Sequence, residues 1–379
     1  MIAKKEKGIA RSRMKIAIDV SMLAELRTGT EEYIEGLVWG LSRLGESVVG
    51  CGRHGPLLPD KAGLGLPIRA KNPLWRKWWW ENVAVRRVSA GMDLLHIPHL
   101  SHPAASLTVP TVVTVHDLIP WRLAEYRRRW RDQAYFSHMK KTLPYATALV
   151  AISNATYQDI ADFFPGLAPK VTVIPNGIHA DFFRPVEVAL MHTIHDKHGL
   201  RRHPRILYLG GYNSRKNVPR LIRSAKRVFD QLKDGELVLV GARGNSDILR
   251  VVQQCGIGDR AILTPYLSRT DVVALYHASD IFVFPSQYEG FGLPPAQALA
   301  TGLPVIAGDT PAVREVVGDA GIFVDPLDDG EWDDAIMSVL KTPALAQQMV
   351  ARGRIRAQNF TWEQVAVQYR DLYRHILQG

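Results

Sequence analysis

Residues 14–20, Met-Lys-Ile-Ala-Ile-Asp-Val, form a short apolar run rich in β-branched side chains, and further on the apolar spacing changes to Tyr33, Leu37, Leu41 and Leu44. The run predicts a strand, the wider spacing a helix, and Thr28-Gly29-Thr30 between them a glycine turn. The alternation recurs, with strands predicted at 93–96, 111–116, 148–152 and 171–174 and helical stretches at 73–89, 124–143 and 154–163. After a polar stretch at 185–203 it restarts. Strands are then predicted at 205–209, 237–240, 261–264, 281–284, 305–307 and 321–324, and helices at 218–231, 271–277 and 294–300. Strands alternating with helices imply parallel sheets covered on both faces.

The fold class is therefore α/β, with two Rossmann-like doubly wound units facing a cleft. The expected boundaries are a basic tail at 1–13, an N-terminal unit at 14–190 and a C-terminal unit at 191–360. The stretch 361–379 carries Trp362, Val365, Tyr369, Leu372, Tyr373 and Ile376 at helical spacing and has no strand after it to cover. It is expected to cross back onto the first unit. Carboxyl ends of parallel strands converge at such a cleft, which makes it the expected ligand site.

Composition narrows the class without naming a function. At 379 residues, 46% hydrophobic and 22% charged, the chain is long enough for two domains and unlike a disordered one. Cys51 and Cys255 stand far apart, outside any CxxC or Cys/His spacing, which argues against a disulfide framework or zinc ribbon and fits a reducing, cytoplasmic setting. No apolar run approaches the roughly 20 residues of a membrane span, and no apolar segment follows the basic start as in a signal peptide.

Charge adds an asymmetry. Residues 1–185 hold 25 Lys and Arg against 16 Asp and Glu, a net of +9, whereas the rest, 22 against 21, nets +1. An anionic partner for the first half follows, with nucleic acid, an anionic membrane surface and a phosphorylated acceptor all open on charge alone. The stretch Pro73–Glu81, extended by Arg86 and Arg87, interleaves aromatics with cations as single-strand grooves and membrane-surface helices do. It reads equally as a helix packing Trp75, Trp78 and Trp79 inward, and Arg127–Arg131 reads as a solvated basic face.

The most informative segment runs from Phe284 to Ala300. A buried strand ends at Phe284, a glycine-rich loop carries one carboxylate, Glu289, and a helix begins near Pro294. Unpaired N–H groups and the dipole make a helix start an anion site. Because Pro294 and Pro295 lack donors, the N–H groups of Phe291, Gly292 and Leu293 are the ones expected to hold the anion. An ordinary strand-to-helix turn would leave Glu289 unexplained.

This segment, with Gly302-Leu-Pro-Val, Pro311-Ala-Val-Arg-Glu315 and Asp319–Pro326, resembles the signature of retaining, nucleotide-sugar-dependent glycosyltransferases of the GT-B fold, group 1, mannosyltransferase-like branch. The resemblance extends to Gly29, His116-Asp117-Leu118, Ser153, Pro175-Asn176-Gly177, Arg215-Lys216-Asn217, Leu275-Tyr276 and Phe360-Thr-Trp362, covering nearly the whole chain from Lys15. It implies that Glu289 binds the donor sugar's hydroxyls and that Lys216, helped by Arg215, neutralises the diphosphate leaving group. It also implies a sugar-contacting His116, where a lone histidine at a strand end would otherwise read as structural. Gly29, lacking a side chain, would let the first turn approach phosphate or acceptor.

Two positions depart from the pattern. Many relatives carry an arginine where this chain has Gly211, which shifts weight onto Arg215 and Lys216. The second carboxylate, separated from the first by seven intervening residues, is replaced by Gln297, so the ribose contact expected there changes character. The implied activity is transfer of a hexose, mannose or rhamnose favoured, from a nucleoside-diphosphate sugar to a glycan or lipid-linked acceptor. No cofactor or metal is expected, since the cations stand in for one and the chain has no Asp-x-Asp pair. A sugar-nucleotide epimerase on the same architecture, and a basic membrane- or nucleic-acid-binding protein with a degenerate sugar site, are the rivals. Of the partners left open by charge, nucleic acid is not expected.

Overall fold

The computed structural model describes residues 13–23, 29–52, 63–65, 79–127 and 130–379. The expected tail therefore lies outside the described residues but for Arg13, as do Trp75, Trp78, Arg128 and Arg129.

The first sheet contains β1 (Lys15–Asp19), β2 (Ser47–Gly52), β3 (Gly63–Gly65), β4 (Leu94–Ile97), β5 (Thr111–Val115), β6 (Ala148–Ala151) and β7 (Val171–Val173). Its order is β3-β2-β1-β4-β5-β6-β7, with every pairing parallel. The second sheet contains β8 (Arg205–Leu209), β9 (Glu236–Val240), β10 (Ala261–Leu263), β11 (Ile281–Phe284), β12 (Val305–Gly308) and β13 (Gly321–Val324). It runs β10-β9-β8-β11-β12-β13, again parallel throughout. In both, the order reverses beside the first strand, at β1/β4 and β8/β11. Loops leaving the carboxyl ends of those strands separate in opposite directions and leave a crevice.

The helices that matter to the cleft are α1 (Gly29–Arg43), α2 (Asn154–Phe163), α3 (Val218–Leu232), α4 (Arg269–His277), α5 (Leu293–Thr301) and α6 (Trp362–Gln378). Local sequence fixes their starts: Ser153 caps α2 through Thr156 N, Ser268 caps α4 through Asp271 N, and Thr361 caps α6 through Gln364 N.

The chain leaves the first unit earlier than its polarity suggests and returns where expected. Ile178 and Phe182 already pack in the core of the second sheet, together with Ile194 and Leu200. The polar stretch at 185–203 contains a helix, Val188–His198, that buries only Ile194. On the return, Phe360 belongs to the second core and Trp362 to the first, so the crossing lies at Thr361.

Helix α6 docks as expected, on α1. Gly36 and Gly40 have no room for a β-carbon, because the Trp362 ring and the Ala366 methyl lie there, and Gly177 abuts the other side of the Trp362 ring. Beneath them lies a buried polar knot. Tyr33 bonds to Tyr369 at 2.7 Å and to Thr114 at 2.8 Å, and His96 contacts Thr114 Oγ1 at 2.8 Å and the Tyr373 hydroxyl. Every polar group there finds a partner, as burial requires. Trp79 packs against the first core, whereas the neighbouring Trp80 is fully buried with its indole N–H on Asp19 at 3.0 Å. Among the described residues no helix is long and apolar enough to cross a membrane.

Candidate functional site

Two loops of the second unit converge at the reversal between β8 and β11. The loop after β8 tightens into a short helical turn, Ser214–Lys216, and Asn217 in the left-handed region (φ 54°) starts α3. The loop after β11 carries Ser286 to Gly292. They are tied by Gln287 N donating to Arg215 O at 2.8 Å and by the Arg215 guanidinium donating to Tyr288 O at 2.8 Å.

This brings three of the expected residues together. One oxygen of Glu289, Oε1, takes Lys216 Nζ at 2.5 Å and Arg215 Nη1 at 3.0 Å. Lys216 also lies 4.9 Å above the Phe284 ring, which fixes its stem. Glu289 and Lys216 are both buried. Burial opposes ionisation of Glu289, but the two cations overcome it and hold its carboxyl below the usual glutamate range. Lys216 shows the opposite balance: burial lowers its pKa in spite of the carboxylate.

The N-terminal unit clasps the same loop. Ser153 Oγ donates to Gly290 O at 2.6 Å and Thr156 Oγ1 does so at 3.1 Å, while the Tyr288 hydroxyl donates to Asp159 on α2. Gly290 in turn rests against the backbone of His116. His116 ends the 111–116 run, with Nε2 on Pro98 O at 2.9 Å and the Tyr33 ring edge-on at 4.8 Å. Burial pulls its pKa down to about 4. The neighbouring Asp117 faces the same charges. Burial raises its carboxyl, partly offset by the Ile119 N–H at 3.1 Å, Arg215 and Lys216.

The remaining expected residues are spread around this cluster. Gly292, with φ +106° and Val313 Cγ2 3.2 Å from where a β-carbon would sit, is the N-cap of α5; only glycine adopts that backbone without strain. Leu293 opens α5, and Phe291 is buried edge-on against Phe360 at 5.6 Å. Gly211 is exposed, and its carbonyl accepts from the Tyr208 hydroxyl at 2.6 Å. Gly29 begins α1 in open surroundings. Gln297 is turned across the cleft to Glu32 of α1, with its Nε2 on Glu32 Oε2 at 2.9 Å.

Glu32, Tyr288 and Asp159 were not signalled by the sequence. Each acts across the cleft, and no local pattern marks a partner from another domain. Chemically, the cluster offers a fixed carboxylate for hydroxyls, two adjacent cations for an anion, and a neutral imidazole nearby.

Two family models match the chain: "Glycosyltransferase Family 4" at residues 27–182 and "Glycosyl transferases group 1" at residues 191–356. An O-antigen chain mannosyltransferase B of Escherichia coli is 28% identical over 69% of this chain and 70% of its own length. An MMP alpha-(1->4)-mannosyltransferase of Mycolicibacterium hassiacum is 28% identical over 71% of this chain and 66% of its own. A D-inositol 3-phosphate glycosyltransferase of Xylanimonas cellulosilytica is also 28% identical, over 60% of this chain and 56% of its own. Among solved structures, sucrose-phosphate synthase from Thermosynechococcus elongatus superposes with TM-score 0.78 at 24% identity, over 97% of this chain and all of that one. Anabaena HepE in complex with UDP-glucose superposes with TM-score 0.76 at 15% identity, over 96% of this chain and all of that one. With one family model on each sheet, and this architecture shared end to end with glycosyltransferase structures, the chain belongs to the group 1 glycosyltransferases of the GT-B fold.

Proposed function

We propose that this glycosyltransferase moves a hexose, mannose before rhamnose, from a nucleoside diphosphate to a hydroxyl of a glycan or lipid-linked glycan, with retention at the anomeric carbon. The observation that carries the proposal is the Glu289–Lys216–Arg215 cluster at the β8/β11 reversal, with Gly290, next to Glu289, packed on the backbone of His116. Glu289 takes donor-sugar hydroxyls and stabilises positive charge growing at the anomeric carbon. Lys216 and Arg215, with the N–H groups of 291–293, take the departing diphosphate without a metal.

The reaction on this reading is a front-face displacement. The bond from anomeric carbon to phosphate oxygen breaks and the bond to the acceptor oxygen forms on the same face, while the acceptor proton passes to the leaving phosphate. The mannosyltransferase relatives favour the sugar, and the basic N-terminal unit favours an acceptor carrying phosphate near an anionic membrane surface.

A panel of nucleoside-diphosphate sugars, read by mass spectrometry and with product configuration assigned by NMR, tests this. Turnover of a mannosyl or rhamnosyl donor to an α-linked product is expected. Turnover of no donor, or inversion at the anomeric carbon, overturns it.

A further inference from the structure

Helices α1 and α5 meet across the cleft through a side-chain hydrogen bond. Gln297 Nε2 donates to Glu32 Oε2 at 2.9 Å, and the Tyr276 hydroxyl, which bonds Pro294 O at 3.0 Å, reaches Gln297 Oε1 at 3.4 Å. Both ends of the amide are engaged and Gln297 is 3% exposed. One turn along α1, Glu35 meets Arg269 at the start of α4 at 2.8 Å, so two carboxylates of one helix bind two side chains of the other unit. Between them Tyr33 presses its ring on His116, and Gly36 and Gly40 seat α6. Helix α1 thus connects the orientation of Gln297 to that of His116.

We propose that Glu32 is a positioning residue: its carboxylate takes the Gln297 amide and latches α5 to α1 in the closed arrangement that packs the Glu289–Gly290 loop on the backbone of His116. The proposal rests on reading Glu289 and His116 as the reacting site. It also explains the residue at 297. An amide donates to Glu32, whereas a carboxylate there would set two like charges at hydrogen-bond distance.

The test compares the wild type with Gln297→Glu, Glu32→Gln and the two together, which exchange carboxylate and amide. Gln297→Glu is expected to lower kcat about 10²-fold, like charges at an interface being strongly unfavourable, and the exchanged pair to return within about fivefold of wild type. Glu32→Gln alone keeps an amide-to-amide bond and loses only a few-fold in kcat. Gln297→Met, which removes the donor without adding charge, is expected to lose kcat in a way that Glu32→Gln does not repair. Small-angle scattering of the ligand-free protein supplies a readout independent of turnover: a larger radius of gyration for Gln297→Glu, restored in the exchanged pair. A Gln297→Glu enzyme of normal kcat and unchanged radius, or an exchanged pair no better than the single variant, overturns the latch. Failure of the wild type to use any donor defeats the functional reading instead, and the scattering comparison still decides the latch.

Discussion

The carbonyl oxygen of His116 fills the space that a β-carbon on Gly290 would need, and Asp117 Cβ lies 3.0 Å from the same point. Gly290 follows Glu289, so the loop that carries this carboxylate rests directly on the backbone of the candidate sugar-binding histidine.

Gly290→Ala must therefore lift the loop from the N-terminal unit, loosening the bonds from Ser153 and Thr156 as well. A displacement of about 1 Å at reacting groups costs on the order of 10²-fold, so kcat is expected to fall by at least tenfold. Stability should fall by the ~1–3 kcal/mol typical of overpacking. Steady-state kinetics beside thermal melting checks both, and an alanine variant of undiminished kcat would show that this contact does not position Glu289.

Two histidines with lowered pKa values, His96 and His116, give a stability prediction with a definite sign. Burial lowers His96 to about 3, with His116 and His99 adding to the effect, and lowers His116 to about 4. In the unfolded chain each would titrate near 6.5, so as pH falls below that value the unfolded state gains protons that the folded state refuses. Stability is then fully present above about pH 6.5 and drains toward pH 4, at up to ~1.4 kcal/mol per pH unit for each histidine. Denaturant midpoints measured from pH 7.5 to 5 should fall, and His116→Gln should flatten the slope. An equally steep slope in that variant would mean that His116 takes its proton as readily in the folded state as in the unfolded chain.

The fold was legible in the sequence where one face of an element is buried and the period is clean. Strands β8 and β11 and helices α2 and α3 emerge within a residue or two because their apolar positions are continuous or regularly spaced. Strand β2, Ser-Val-Val-Gly-Cys-Gly, was hidden by its two glycines, and the helix Pro343–Ala357 by burying little beyond Met349, Gly353 and Ala357. At the site, Glu289 stands out as the one carboxylate of a glycine-rich loop, whereas Lys216 and Arg215 are marked only by the family resemblance. Glu32 looks like any acidic residue of a helix's first turn, and only the tertiary fold shows that Gln297 faces it.

Chelation tests the charge balance at the leaving group. If Lys216, Arg215 and the start of α5 take the diphosphate, transfer should proceed at an unchanged rate in EDTA, because no metal has to bridge the phosphates. Activity lost in EDTA and restored by magnesium or manganese would refute that assignment.

The last prediction separates the two halves of the Glu289–Lys216 pair by their effects on pH. Burial alone would keep the Glu289 carboxyl protonated to higher pH than usual, and Lys216, then Arg215, reverse that. A carboxyl whose pKa is depressed stays ionised until pH falls below the ordinary glutamate range, so the wild-type kcat should be flat through the mildly acidic range as far as this group is concerned. Lys216→Met removes the larger counterweight while keeping most of the buried stem. The acid limb of kcat should then move toward neutral pH, because burial regains control of Glu289, and the plateau should fall by about 10²-fold as a phosphate-binding cation is lost. Glu289→Gln should also lose at least ~10²-fold, yet without any such acid limb, since an amide has no proton to gain. If Lys216→Met lowers the plateau and leaves the acid limb in place, Lys216 serves the phosphate alone and the ionisation of Glu289 is secured by Arg215.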